Sequence, residues 1–188
     1  MKRFFAALLA MAGIQAYAGE RVIEQDVVVA APLQAVWQAW TTKAGLESFF
    51  APEAHIAPVP DGQLDLFFNP YGTPGTKGAD GMRVLAVQDQ RLLSFSWNAP
   101  PHLPDARKQR TVVILRFTRV SDSSTRVALT QTGWGDGGQW DDAYAYFSKA
   151  WPTVFGNLQK RFVNGPIDWT AHLAAMKKHT DDAMRTAK

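Results

Sequence analysis

No cysteine occurs anywhere in the 188 residues, which excludes disulfides, thiolate nucleophiles and cysteine-held metals. Stability must therefore come from the hydrophobic core, and the absence of stray thiols suits an oxidising compartment. Charge of one sign is also scarce. The net charge of +3 falls to +1 once Lys2 and Arg3 are set aside with the export segment described below. The nearest thing to a basic run, Arg107-Lys108-Gln109-Arg110, falls in a stretch that reads as a loop. No nucleic-acid partner is expected, because such a partner needs a basic face or run. The glycine-bearing stretch Asn69 to Gly81 lacks the order of a phosphate-binding loop, and no HExxH accompanies His172 and His179. Neither a metal nor any other cofactor is implied. No apolar run approaches the roughly 20 residues of a membrane span.

The chain opens on the three parts of an export signal. Lys2 and Arg3 supply the positive region, Phe4 to Ile14 the apolar stretch, and Ala16-Tyr17-Ala18 the small residues a signal peptidase reads. Cleavage is expected before Gly19, which places the mature protein in the periplasm or outside the cell without stable membrane insertion. Residues 19–166 then read as one domain and 167–188 as a helical tail. Aromatic residues make up 12% of the sequence, so the core is expected to be bulky.

Periodicity orders the domain. Arg21 to Val29 alternates as a strand, and Leu33, Val36, Trp37 and Trp40 follow at helical spacing behind Pro32. Thr42 caps a second short helix that carries Leu46, Phe49 and Phe50. The period then changes to two. Glu53 to Val59 and Gln63 to Phe68 flank Pro60-Asp61-Gly62, a hairpin turn in which Gly62 is expected to take the positive backbone angle. Further strands are Met82 to Val87, Leu92 to Trp97, Thr111 to Val120 and Thr125 to Thr132. Alternation puts Leu93, Phe95 and Trp97 on one face, as it does Val113, Leu115 and Phe117, and Val127, Leu129 and Gln131. Residues 69–81 read as a mobile connection, and the proline-rich residues 98–110 as a stiff rim.

The last large segment, Trp140 to Asn164, carries Tyr144, Phe147, Trp151, Phe155, Leu158 and Phe162 at steps of three and four. A stripe so aromatic must be covered. Pro152 interrupts it, so the helix either kinks or breaks there. With a break, Trp140 to Ala150 would be a movable lid.

One strand, two short helices, six strands and a long C-terminal helix is the order of the helix-grip fold of the START-like, or Bet v 1-like, SRPBCC superfamily. Two stretches make the resemblance more specific: Val29-Ala30-Ala31-Pro32-Leu33-Gln34-Ala35-Val36-Trp37-Gln38-Ala39-Trp40-Thr41-Thr42 at the entry and Leu129-Thr130-Gln131-Thr132-Gly133-Trp134-Gly135-Asp136-Gly137 at the exit. They resemble the homologues of the heat shock protein 90 ATPase activator, over about Arg21 to Trp169. The resemblance implies an α+β fold, a curved antiparallel sheet wrapped around the long helix, with a ligand cavity between them. The family name suggests activation of a cytosolic chaperone, which an exported protein would not meet. The expectation is therefore a binder of a small apolar or aromatic molecule, lined by Phe49, His55, Trp97, Gln131, Trp134, Tyr144, Phe147, Trp151 and Phe155. No catalytic motif comes with the resemblance. Two alternatives remain: a cyclase or hydrolase acting on a polyketide-like substrate, with Gln131, His55 or Tyr144 positioning it, and a periplasmic stress or chaperone-like interaction module.

Overall fold

Alternation decides the architecture. In the computed structural model, which describes residues 20–186, seven strands form one antiparallel sheet ordered β1-β7-β6-β5-β4-β3-β2. The predicted export segment Met1 to Ala18, with its cleavage point before Gly19, lies outside the described residues. The elements are β1 (Ile23–Val29), α1 (Leu33–Thr41), α2 (Lys43–Glu47), β2 (Glu53–Ile56), β3 (Gln63–Phe67), β4 (Gly78–Gln88), β5 (Leu92–Trp97), α3 (Pro104–Arg107), β6 (Thr111–Ser121), β7 (Ser124–Thr132), α4 (Gln139–Asn164) and α5 (Thr170–Thr186). No helix among the described residues is long and apolar enough to cross a membrane.

The residues that alternation assigned to one face are buried together. Phe95 pairs with Val113 and Val113 with Gln131; Leu93 pairs with Leu115 and Leu115 with Leu129. These rows form the inner surface, because a side-chain period of two puts every second residue of each strand on it. Irregular registers at Leu64/Leu66, Val84/Ala86 and Arg119/Ser121 interrupt the ladders, and such bulges bend and twist a sheet. The sheet thereby curves around α4, which lies closest to β1.

Long helix α4 is continuous, so no separate lid segment exists at Trp140 to Ala150. Pro152 cannot donate to the Ser148 carbonyl, and an interior proline costs about 3 kcal/mol. Burying Phe147, Trp151, Phe155 and Leu158 outweighs this at roughly 1.5–3 kcal/mol each, and all four lie on the side facing the sheet while Pro152 is exposed. Asp141 and Asp142 occupy the first turn, where acids favour the positive helix end, and Arg21 bridges Asp141 at 2.6 Å and Asp136 at 3.1 Å.

Three local expectations change. In the β2–β3 hairpin, Asp61 takes the positive angle, φ 60°, and Gly62 does not. Gly62 serves close approach instead, since a Cβ there would collide with the Ala57 carbonyl oxygen. Strand β4 begins at Gly78 rather than Met82, because Ala79 and Gly78 still pair with Leu66 and Phe67. The loop before it is also fastened. One Asp80 carboxylate accepts the amides of Gly75, Lys77 and Gly78, and Arg107 of α3 binds Asp80 at 2.9 Å and the Gly75 and Gly78 carbonyls.

Candidate functional site

The space under α4 is filled. Trp151 and Trp97 lie 5.6 Å apart, Phe50 stacks on Trp97 at 5.9 Å, and Phe155 closes on Trp40 at 6.4 Å. Gln131 sits in the middle of this apolar layer with no exposed surface. Its amide nitrogen donates to the Thr111 hydroxyl at 2.8 Å, and its oxygen accepts the Trp151 indole N–H at 2.7 Å. The expectation that Gln131 orients a ligand is corrected accordingly, because both its donor and its acceptor are engaged inside the core.

The accessible space lies along the flank of α4. A groove of about 840 Å³ runs beside Asp142, Tyr146, Lys149, Thr153 and Asn157, faced by Phe68, His102, Leu103 and Trp169. Its floor is aromatic: Phe50, Trp97, Phe147 and Trp151. The charged groups, Asp142 and Lys149, stand on the exposed rim. Tyr146 remains 46% exposed, and desolvation raises its phenol above the ordinary value. A smaller chamber of about 50 Å³ lies next to the groove behind Ala99, Pro100 and Pro101, sharing Phe68, Trp97, Tyr146 and Phe147 with it.

Tail segments complete the far wall. The Trp169 indole donates to the Glu47 carbonyl at 2.6 Å, Ile167 donates to the Ser48 carbonyl at 2.9 Å, and a ring nitrogen of His172 meets the Phe68 carbonyl at 2.7 Å. Helix α5 is thus held by polar contacts beside the groove, although none of its residues is buried. Among the described residues no three His, Cys, Asp or Glu side chains gather as metal ligands would.

Of the nine residues expected to line a cavity, Trp97, Phe147 and Trp151 border the groove. The others are placed elsewhere, for identifiable reasons. Phe49 is fully buried against Trp40 at 5.0 Å. His55 alternates with buried Ala54 and so points outward, its side chain 46% exposed. The Tyr144 hydroxyl donates to the Val22 carbonyl at 3.1 Å, which fastens α4 to the segment before β1. Trp134 donates to the Gln131 carbonyl at 3.1 Å and packs on Tyr144 and Phe147, acting as a plug. Phe155 borders a different, shallower depression beside Gln25 and Pro152. Tyr146, Phe68 and Trp169 were not anticipated. For Tyr146 a signal existed: with Asp142, Lys149 and Thr153 it marks a second helical face beside the apolar stripe.

Comparison with known proteins bears on this architecture. Solved structures share the fold at low identity. Protein MLL2253 from Mesorhizobium loti is 20% identical with a TM-score of 0.62, over 78% of this chain and 100% of that one. The Aha1 dimer from Colwellia psychrerythraea is 19% identical, TM-score 0.60, over 77% and 98%. CalU16 from Micromonospora echinospora is 18% identical, TM-score 0.57, over 87% and 86%. No curated protein matches the sequence significantly. Residues 30–162, which run from just after β1 through nearly all of α4, match the family described as Activator of Hsp90 ATPase homolog 1-like protein. That span takes in six of the seven strands, most of the core and every groove residue except Trp169, so the chain belongs to this family, within the SRPBCC superfamily of helix-grip folds.

Proposed function

We propose that the protein binds a small apolar or aromatic molecule in the groove beside α4, without covalent chemistry. The observation that carries this is the groove itself: about 840 Å³, floored by Phe50, Trp97, Phe147 and Trp151 with no ionisable side chain among them. A large concave apolar site with a few polar groups at its edge is what small-molecule recognition requires. The cyclase or hydrolase alternative has less support, because His55 is exposed, the Tyr144 hydroxyl is bonded to the Val22 carbonyl and Gln131 is committed to Trp151. The interaction-module alternative needs a contiguous apolar patch. The large exposed hydrophobics are instead dispersed over separate elements, as at Val28, Val59, Leu85, Val120, Val163 and Met184.

Export is the second part of the proposal, supported by Lys2, Arg3, the apolar stretch and Ala16-Tyr17-Ala18. The N-terminal residue of protein recovered from a periplasmic fraction tests it: Gly19 supports export with cleavage, and Met1 on cytosolic protein overturns it.

Ligand binding is tested by thermal shift against fatty acids, sterols and polycyclic aromatic ketones. A ligand at a hundred times its dissociation constant adds about 2.7 kcal/mol, which for a chain of this size raises Tm by roughly 5–10 °C. Ala150→Trp places a large ring in the groove from α4 and is expected to abolish the shift. No response to any of the three classes, or a response undiminished in Ala150→Trp, overturns the reading.

A further inference from the structure

We infer that the groove takes a straight-chain amphiphile lying parallel to α4, with its polar head at the α3 end and its chain stopped by Trp169 at the other. The inference rests on the groove being a ligand site, as proposed above. Shape carries its first part. The α4 residues Asp142, Tyr146, Lys149, Thr153 and Asn157 along the groove follow at steps of three and four, so they form one stripe of the helix. That stripe runs about four turns, or roughly 22 Å of axis. A volume of about 840 Å³ spread along it makes the groove long and narrow, which suits a chain better than a compact body.

The two ends differ in chemistry. His102 stands edge-on to Tyr146 at 6.1 Å, which places the segment leading into α3 at the first end. At the second, the Trp169 indole donates to the Glu47 carbonyl at 2.6 Å, and Arg161, in the last turn of α4, donates to the adjacent Ser48 hydroxyl at 3.0 Å. The titratable side chains lining the groove, Asp142, Tyr146, Lys149 and His102, all belong to the half nearer α3. Beyond Lys149, helix and tail offer only Ala150, Thr153, Val154, Asn157 and Trp169. An amphiphile matches that order, head among the polar groups and methylenes past them. Asp142 and Lys149 bring one charge of each sign to the head, which favours a hydroxyl or ester over a carboxylate or an ammonium.

Trp169 is the groove residue that the family-matched span does not include, so the stop is supplied by the tail of this chain. The tail is held there from several sides. Besides the indole bond, Ile167 donates to the Ser48 carbonyl at 2.9 Å, a ring nitrogen of His172 meets the Phe68 carbonyl at 2.7 Å, and the Asn69 carboxamide donates to the Thr180 hydroxyl at 3.1 Å. Phe68 is itself a groove wall, so the tail is tied to the groove and not merely near it. A ring fixed at the end of a narrow groove sets a length. Each methylene added to a chain is buried until the chain meets Trp169, and further ones find no apolar surface to enter.

The test titrates octanol, decanol, dodecanol and tetradecanol into the wild-type protein and Trp169→Ala, with cyclododecanol as a compact alcohol of the same carbon number as dodecanol. In the wild type, affinity is expected to rise roughly fourfold per added methylene and then level off; in Trp169→Ala it should level off at a longer chain. Cyclododecanol should bind more weakly than dodecanol. In the wild-type protein, nuclear Overhauser contacts should join the terminal methyl of the best-bound alcohol to the Trp169 ring and its carbinol protons to the Tyr146 ring, a readout that holds even where the variant folds poorly. Reversed contacts, no plateau in the wild type, a plateau at the same length in both proteins, or cyclododecanol binding as tightly as dodecanol overturns the inference. So does failure of every alcohol to bind while a sterol or polycyclic ketone still raises Tm, and that result leaves the groove reading standing. No binding by the alcohols and no thermal shift from any class overturns both.

Discussion

The Trp151 indole donates to the Gln131 side-chain oxygen at 2.7 Å, across 20 residues of sequence and in a layer closed to solvent. This bond joins α4 to β7, and the Thr111 hydroxyl extends it to β6 and to the Trp97 carbonyl at 3.2 Å. A polar thread through an aromatic core is stabilising only while every member is paired.

Replacing Gln131 with Leu should therefore cost more than its change in shape. Trp151 would be left with a buried unpaired donor, destabilising by about 1–3 kcal/mol. Urea unfolding should show a lower midpoint at unchanged slope, and adding Trp151→Phe to Gln131→Leu should recover part of the loss. A Gln131→Leu protein as stable as wild type would mean that the thread contributes nothing.

Arg107→Ala is expected to loosen two loops at once. Arg107 and Asp80 expose only 12% and 14% of their side chains, and Arg107 also ties the Gly75, Gly78 and Ala99 carbonyls. Removing one partner of such a buried pair costs roughly 3–5 kcal/mol. Hydrogen exchange should accelerate in residues 69–81 and 98–110 before it does in β6 or β7. Equal acceleration everywhere would show that the clamp stabilises the domain only globally.

Much of the fold was legible because period translates directly into burial. The steps of Phe147, Trp151, Phe155 and Leu158 and the alternation of β5, β6 and β7 identify buried faces without further information. The start of β4 was hidden, because Gly78 and Ala79 pair through backbone alone and carry no apolar alternation. Turn α3 was hidden among prolines for a similar reason. The site was less legible than the fold. Phe49 and Phe50 are neighbours with the same side chain, yet one faces the core and the other the groove, which depends on how α2 meets β5. Gln131 suggested a ligand contact because its partner, Trp151, lies on another element.

Acid should loosen the tail before the domain. Asp168 accepts the amide and hydroxyl of Thr170 at 2.9 and 2.6 Å, and these bonds hold its carboxyl below the usual range, the hydroxyl contributing most. A carboxyl depressed in the folded state stabilises above its unfolded pKa, and that contribution is lost as pH falls through the lower folded value. Amide protection at the start of α5 should decline over that acidic interval. Asp168→Asn keeps an acceptor without the titration and should flatten the decline; an unchanged profile in this variant would assign the effect to another group.

Two glycines with opposite surroundings give the last test, since the same substitution should act with opposite sign. Gly156 lies inside α4, and a Cβ there would meet nothing within 4 Å. Gly156→Ala should stabilise by about 0.5–1 kcal/mol, because alanine loses less backbone entropy in a helix. At Gly62 the added carbon would strike the Ala57 and Val59 carbonyl oxygens, which are fixed by the β2–β3 turn and cannot retreat as a flexible side chain would. Gly62→Ala should lower stability, with the loss concentrated in the hairpin and in its bond to the Val84 amide at 2.9 Å. Thermal unfolding of both variants decides the matter: a stabilised Gly62→Ala would show that the turn has room to shift and that glycine is dispensable there.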